Sequence, residues 1–332
     1  MKPFWKSELT FFEKYHWIRV GVVFALLHSL TSSLYGVIIH DLSHIPAVTI
    51  NLYQHIICFV VTCPIVVFNN IPLFPYNYRS VLILRSISSC VNVTLLFISF
   101  KYIPFSDSTA ISFTSVAITV LLARIFLGEA CNLIQIIVIV LSFSGVLLIC
   151  RPTFLFRGFE DYDGDTMIGV SMALLATVLL SVSAVSMRAM KKLQTITIMI
   201  NFFLVSVVCL TVITTLLKLW VLPENLYECF LLFSLAFVSL LSTAALTLAF
   251  RFEPAGVVST VTTSEIVFSY SWQFFLWDTT IHWESLLGAM LILSATLMSS
   301  LCQRYTKEDK STYGNLISKT IYRIAPHKDS IV

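Results

Sequence analysis

The chain carries few charges for its length. Charged residues make up 12% of its 332 residues, whereas soluble domains average about 25%. Hydrophobic residues make up 57% of the chain, which is more than a water-facing surface tolerates. This composition excludes an ordinary soluble globular protein and indicates an integral membrane protein.

The sequence also lacks the motifs of several functional classes. It has no phosphate loop, no dinucleotide motif and no nucleophile, base and acid set. The eight cysteines show no metal-ligand spacing. The acidic run 161–165 begins like a calcium loop, but Thr166 and Met172 stand where glycine and glutamate are required. We therefore predict no enzyme activity, no cofactor, no metal site and no nucleic-acid partner.

Ten apolar segments are long enough to cross a membrane, for which about 18 or more residues are needed. They are 17–39, 49–68, 78–100, 106–127, 133–150, 167–187, 196–220, 230–249, 255–277 and 283–302. Because a lipid-exposed backbone must satisfy its own hydrogen bonds, these segments should be helices. The predicted fold class is an all-α polytopic membrane protein with ten transmembrane helices.

The basic residues predict an orientation. Of the 21 Lys and Arg residues, sixteen fall on the side of the predicted topology that holds both termini, four fall on the other side, and Arg85 lies inside a span. Such a bias places the termini in the cytosol. We expect a multi-pass protein of the plasma membrane or of the secretory pathway (ER or Golgi).

The two halves of the sequence resemble each other. At a shift of 150 residues, Lys101 and Pro104 align with Arg251 and Pro254. Each half holds five predicted spans, and since five is odd, the halves must be inserted in opposite directions. Inverted repeats of this kind occur in transporters, whose substrate sites lie near the membrane midplane between the repeats.

This interpretation divides the chain into five parts. They are a cytosolic segment (1–16), a first repeat with helices one to five (17–152), an extracellular or lumenal loop (153–166), a second repeat with helices six to ten (167–303) and a cytosolic tail (304–332).

Several short stretches carry a resemblance to a known family. They are Leu84-Arg85, Lys101-Tyr102, the run 107–113, Gly128-Glu129, the run 145–149, Arg151-Pro152, Glu253, Ala255-Gly256 and Val267-Phe268. The stretches from Leu84-Arg85 to Gly128-Glu129 resemble the first EamA-type repeat of the drug/metabolite transporter superfamily. Within that superfamily the chain is most similar to solute carrier family 35, subfamily G. The resemblance implies ten helices, cytosolic termini and a central cavity for a small-molecule solute, lined by helices one to four and six to nine.

Glu265 is the foremost candidate for coupling. A charged side chain at the centre of a membrane helix costs about 2.5–3.5 kcal/mol even on the mildest scale, so it is a functional candidate by default. Glu265 lies eleven residues after Pro254 and twelve before Trp277, which predicts a position near mid-helix. The alternative is a structural carboxyl that accepts hydrogen bonds from a neighbouring helix.

Two polar stripes accompany Glu265. The first comprises Ser108, Ser112, Ser115 and Thr119, and the second, at repeat-equivalent positions, comprises Val258, Thr262, Glu265 and Ser269. The spacing i, i+4, i+7 and i+11 places each set on one helix face. The stripes are predicted to line a substrate cavity, although hydroxyls at such positions can instead hold membrane helices together.

Arg85 is the second candidate. It lies six residues beyond Arg79, roughly 9 Å further along a helix. A guanidinium at that depth could bind a carboxylate or phosphate through two hydrogen bonds, or it could extend back to the interface. Asn92 and Tyr270 complete the predicted substrate-binding set, while His28 and His55 are more typical of packed histidines.

The resulting hypothesis is a secondary active transporter with alternating access. Its solute would be a small polar, anionic organic metabolite, and Glu265 would carry or exchange a proton. Two alternatives stay open: a nucleotide-sugar antiporter of the Golgi or ER, and a membrane scaffold or regulator that kept the fold without transport. The expected partners are membrane lipid, a second copy of the chain in a homodimer, and a PDZ protein at Ser330-Ile331-Val332.

The charge distribution generates the first testable prediction, which concerns topology. Cysteines introduced in the loop 157–165 should react with an impermeant thiol reagent from outside the cell or from the lumen. Cysteines introduced at 188–193 and in the tail should react only after permeabilisation. Labelling of both loops from the same side would contradict the inverted-repeat hypothesis.

Overall fold

A computed structural model describes residues 20–40, 42, 44–129, 133–150, 164–277 and 283–299. Within these ranges the regular structure is helical throughout. The predicted cytosolic segment 1–16, nearly all of the loop 153–166 and the tail 304–332 lie outside the described residues. The PDZ motif Ser330-Ile331-Val332 also lies outside them.

The described residues form twelve α-helices. They are α1 (Val20–His40), α2 (Ala47–Phe68), α3 (Arg79–Ser99), α4 (Phe105–Phe113), α5 (Ser115–Leu127), α6 (Leu133–Cys150), α7 (Gly164–Ala189), α8 (Thr195–Leu216), α9 (Leu226–Phe252), α10 (Ala255–Thr262), α11 (Ser264–Trp277) and α12 (Trp283–Ser299).

Eight helical segments within the described ranges are long and apolar enough to cross a membrane. They include α1, α2, α3 with the preceding turn, α6, α7, α8 and α9, and the segment 107–127 that combines α4 and α5. The remaining apolar helices are the pair α10–α11 and the shorter α12. The chain is therefore a polytopic helical membrane protein, as its composition predicted.

Two predicted spans are interrupted near their middle. Pro104 precedes α4 and Pro254 precedes α10, and in both cases the helix breaks about ten residues later, at Thr114 and Thr263. Each threonine hydroxyl donates to the carbonyl three residues earlier, over 2.7 Å for Thr114 and 2.6 Å for Thr263. Hydroxyl groups that bond back to the helix in this way bend it.

The helix contacts of the first half recur in the second. If each predicted span is replaced by the span five places away in the chain, a contact between two helices becomes another observed contact. The helix α3 packs against α7, as α9 packs against α1. The broken pair α4–α5 packs against α7, as α10–α11 packs against α1. Likewise α8 contacts α3, and α2 contacts α9. In the contacts of α2 with α8 and of α5 with α10, the two partners are themselves five spans apart, so the replacement gives the same contact again.

Matching close approaches occur at the starts of α1 and α7. A Cβ atom added at Gly21 would meet the side chains of Phe252 and Glu253, just before Pro254. A Cβ atom added at Gly169 would meet Tyr102 and Ile103, just before Pro104. The two halves therefore place a glycine against the same type of turn.

Two connecting segments lie across the ends of the helix bundle. After α8, the carbonyls of Leu219 and Val221 accept hydrogen bonds from Thr49 (2.5 Å) and Tyr53 (2.9 Å) of α2. After α2, the carbonyl of Leu73 accepts a hydrogen bond from Asn201 of α8. Each connection thus covers the helix that is five spans away from the one it leaves.

An ion pair joins four helix ends. Gly128 ends α5 in a left-handed conformation (φ 64°), and the next residue, Glu129, accepts a hydrogen bond from Arg188 Nε at 2.8 Å. The second oxygen of Glu129 accepts from the backbone N–H of Ala255, at the start of α10, at 2.9 Å. Arg188 also donates to the carbonyl of Phe250 at 2.8 Å. Because both charged groups are mostly buried and bonded to backbone, this pair fixes α5, α7, α9 and α10 relative to one another.

The helices α6 and α12 touch through two glycines. A Cβ atom added at Gly145 would lie 2.6 Å from the carbonyl oxygen of Gly288, and one added at Gly288 would lie 2.6 Å from that of Gly145. Small residues allow membrane helices to approach this closely. The contact secures α12 against the rest of the structure.

This contact generates a stability prediction. Gly145→Ala or Gly288→Ala should lower the thermal unfolding midpoint of the purified protein, because overpacking of this kind costs about 1–3 kcal/mol. The matched control is Gly36→Ala, since a Cβ at Gly36 meets nothing within 4 Å. The control should leave the midpoint unchanged or raise it slightly. Equal midpoints for all three variants would show that the α6–α12 contact does not limit stability.

Candidate functional site

Arg85 lies in the interior of the helix bundle. Its side chain belongs to α3, is 3% exposed, and packs against α8, where its Cζ atom lies 4.4 Å from the centre of the Phe202 ring. Among the described residues, neither Nε nor Nη1 finds a hydrogen-bond partner. The guanidinium therefore does not extend to the surface of the bundle.

A buried guanidinium without an acidic partner is energetically unfavourable. The effective desolvation penalty is several kcal/mol per ion, and a cation–π contact returns only about 0.5–2 kcal/mol. An anion beside Nε and Nη1 would offset the difference. The N–H groups of Nε and Nη1 are the donors that could receive a carboxylate or phosphate.

Asn92 lies on the same face of α3, seven residues from Arg85. Its side chain is 6% exposed, and its Oδ1 atom has no hydrogen-bond partner. The positions i and i+7 are two helical turns apart. Arg85 and Asn92 thus place unsatisfied donors and an unsatisfied acceptor on the same side of α3.

His55 of α2 is the third polar residue of this region. Its ring makes edge contacts with Phe202 and Phe203, at centroid distances of 5.2 and 5.8 Å. Its Nδ1 atom lies 2.6 Å from the carbonyl oxygen of Asn51. We refer to Arg85, Asn92, His55 and Phe202 together as the Arg85 site.

Glu265 occupies a different place from the one predicted. It is not in the middle of a continuous helix but in the first turn of α11, directly after the break at Thr263. The hydroxyl of Ser32 on α1 donates to its Oε1 atom at 2.6 Å. The start of a helix carries a partial positive charge, which stabilises a carboxylate there.

Ser32, the contact of Glu265, was not among the sequence-based candidates. It belongs to a polar face of α1 formed by His28, Ser32 and Tyr35, at spacing i, i+4 and i+7. His28 lies 2.7 Å from the hydroxyl of Ser242 on α9, and Tyr35 donates to Asn51 Oδ1 at 2.8 Å. The same spacing argument that found the other stripes would have found this one.

The first polar stripe does not run along a single helix. The break at Thr114 separates Ser108 and Ser112 on α4 from Ser115 on α5. Ser108 is fully buried and lies 2.6 Å from the hydroxyl of Ser99, and Ser112 donates to the carbonyl of Ser108. Ser108 therefore contributes to helix packing, which is the alternative role considered for this stripe.

The remaining stripe residues lie at the crossings with α1 and α7. The carbonyl of Ser115 accepts from Ser181 at 3.1 Å, and Thr119 is 1% exposed. The hydroxyl of Thr262 donates to the carbonyl of Ser259 at 2.9 Å. The side chains of Ser269 and Tyr270 are half-buried on α11.

The two charged candidates form separate sites. Arg85 contacts α8 and Glu265 contacts α1, and in the described part of the chain no hydrogen bond or ion pair joins them. Each charge is therefore available to a ligand or to a proton. Within the same described ranges, no group of three or more His, Cys, Asp or Glu residues could hold a metal ion.

The comparisons with known proteins agree with this architecture. Residues 19–151 match the EamA-like transporter family. The chain is 25% identical over 293 residues to solute carrier family 35 member G1 of Homo sapiens, a match that covers 86% of this chain and 80% of the human protein. It is 27% identical over 283 residues to a probable transport protein of Saccharomyces cerevisiae, with 78% of each chain covered.

A solved crystal structure of a protein has the same fold. It superposes with a TM-score of 0.73 at 14% sequence identity, and the match covers 85% of this chain and 98% of that chain. At this level of identity the similarity concerns the fold alone.

These findings define the class first: a multi-pass helical membrane protein with the fold and relatives of a membrane transporter. They also confirm the resemblance drawn from the sequence. Residues 19–151 are similar to the EamA-like transporter family, and most of the chain is similar to solute carrier family 35, subfamily G.

Proposed function

We propose that the protein is a secondary active transporter that moves a small polar, anionic organic metabolite by alternating access. The observation that carries the anionic preference is the buried Arg85, whose Nε and Nη1 atoms have no partner. A negatively charged solute would satisfy these donors, whereas a neutral solute would leave the charge unpaired at a cost of several kcal/mol.

We further propose ten membrane helices arranged as two inverted five-helix repeats. The helix contacts of the first five spans correspond to those of the spans five places further on, which supports this arrangement. The matching breaks at Thr114 and Thr263 support it as well. Transporters with inverted repeats bind their substrates near the midplane, beside discontinuous helices. The positive-inside bias of the sequence supports cytosolic termini.

Glu265 is the proposed coupling residue. It lies at a helix break, is held by a single hydroxyl from α1, and has no basic partner among the described residues. A carboxyl group whose surroundings change between inward-facing and outward-facing states can take up a proton on one side and release it on the other. The sequence has no nucleotide-hydrolysis motif, so we assign the energy source to gradients or exchange.

The role of Arg85 is tested by substitution. A metabolite screen with the purified, reconstituted protein would first identify a transported anion. Arg85→Ala should then reduce uptake by about 100-fold or more, because the loss of one partner from a buried charge pair costs about 3–5 kcal/mol. Arg85→Lys should retain part of the activity, since lysine keeps the charge but not the paired donors.

The matched control for Arg85 is Arg79→Ala. Arg79 begins the same helix but stacks on Tyr76 and bonds the carbonyl of Phe74, so its loss should leave uptake nearly unchanged. Wild-type uptake by Arg85→Ala would refute the proposed anion site. The absence of saturable flux for every metabolite tested would favour a scaffold or regulator instead.

The coupling role of Glu265 is tested in the same proteoliposomes. Glu265→Gln preserves the size and the contact with Ser32 but cannot carry a proton, so the pH dependence of net flux at saturating solute should disappear while solute exchange continues. Glu265→Asp should keep part of the pH-dependent flux. The control is Glu228→Gln, which removes a carboxylate paired with His44 at the start of α9. An unchanged rate and pH profile for Glu265→Gln would make Glu265 a structural residue.

A further inference from the structure

A hydrogen bond to the backbone determines which tautomer neutral His55 adopts. Its Nδ1 atom lies 2.6 Å from the carbonyl oxygen of Asn51. A carbonyl oxygen can only accept a hydrogen bond, so Nδ1 carries the hydrogen and Nε2 carries a lone pair. Nε2 is therefore the atom of His55 that can take up a proton.

His55 and Arg85 share one aromatic neighbour. The Arg85 Cζ atom lies 4.4 Å from the centre of the Phe202 ring. The centre of the His55 ring lies 5.2 Å from the same point, and the planes of the two rings meet at 76°. A second positive charge beside an unpaired guanidinium is unfavourable in a low-dielectric interior. A proton on His55 thus requires a negative charge at the Arg85 site.

The other helices around α2 supply no such charge to His55. From α3 the facing charged residue is Arg85, and from α8 the ring meets Phe202 and Phe203. From α1, Tyr35 is hydrogen-bonded to the side chains of Asn51 and Gln54.

The acidic residue of α9 is engaged elsewhere. Glu228, near the start of α9, pairs with His44, which precedes α2. Within the described residues, a ligand is therefore the remaining source of negative charge for both Arg85 and His55.

We propose that His55 takes up a proton at Nε2 when an oxyanion binds at Arg85, so that the anion and one proton occupy the Arg85 site together. This inference rests on the proposed function, in which Arg85 holds the anionic solute. The proton comes from the buffer acid of the surrounding solution, which is left as its conjugate base, and adds to the imidazole lone pair. No covalent bond of the anion forms or breaks, and the protonated ring becomes a second donor beside the guanidinium.

Proton uptake that accompanies anion binding makes the affinity for the anion depend on pH. If the complex binds one more proton than the free protein, the affinity for the anion rises as the pH falls, by up to tenfold per pH unit. The effect belongs between about pH 5 and 8, where imidazoles titrate. A monoanion accompanied by this proton would add no net charge to the site.

Sulfate is a suitable probe, because its charge is constant across this pH range. Binding of sodium sulfate to the purified full-length protein in detergent would be measured by calorimetry at several pH values, at constant ionic strength. Repetition in two buffers of different ionisation enthalpy gives the number of protons taken up. For the wild type we expect an uptake near one proton at about pH 7 and an affinity that weakens several-fold per pH unit above it.

Two histidine variants form the matched comparison. His55→Asn places an amide where Nδ1 donates to Asn51 but cannot titrate, so sulfate should still bind with almost no proton uptake and no pH dependence. His28→Asn removes the half-buried histidine of α1, which contacts Ser242, and should behave as the wild type. Glu265→Gln should also keep the wild-type proton uptake.

The outcomes separate this inference from the proposed function. If Arg85→Ala binds sulfate as the wild type does, the proposed anion site itself is wrong. If binding depends on Arg85 but the wild type takes up no proton, or His55→Asn retains the uptake, the role of His55 is refuted. Loss of the uptake in Glu265→Gln would move the proton to Glu265 and overturn the assignment. The wild-type proton count decides the matter even if His55→Asn fails to fold.

Discussion

A backbone carbonyl that loses its helical partner inside a membrane must find another donor, and the central architecture follows from how this chain meets that requirement. The breaks at Thr114 and Thr263 interrupt two spans, and hydroxyls of the neighbouring helices donate to carbonyls beside both breaks. On one side, Ser181 of α7 donates to Ser115 and supports α4–α5. On the other, Ser29 of α1 approaches the carbonyl of Thr262 at 3.5 Å. The positions of α1 and α7 against the broken helices are therefore set by hydrogen bonding as much as by packing.

The two helix crossings are alike in construction and different in chemistry. Ser181 stands 149 residues after Ser32, and Glu265 stands 150 residues after Ser115. Where α5 crosses α7, the hydroxyl of Ser181 meets the carbonyl of Ser115. Where α11 crosses α1, the hydroxyl of Ser32 meets the carboxyl group of Glu265. The two crossings thus differ by one carboxyl group, which is that of Glu265.

Sequence reasoning located the eight spans that the described helices match, and it singled out both charged candidates, because each leaves a signal in composition or spacing. It did not find the helix breaks. A threonine within an apolar run bends a helix only when its hydroxyl bonds back to the chain, and this depends on the neighbouring helix. It also missed the contact of Arg85 with Phe202, since residues 117 positions apart are brought together only by the packing of α3 against α8. Whether the predicted stripe residues bind a solute stays a prediction.

The choice of an aromatic neighbour for Arg85 has an energetic meaning. A carboxylate in place of Phe202 would neutralise the guanidinium fully, and a solute would then have to displace it. The ring provides only about 0.5–2 kcal/mol, which is less than the penalty of several kcal/mol for burying the charge. Phe202 therefore holds the side chain in place without satisfying it. The deficit that remains is the free energy that an anion would recover at the site we propose.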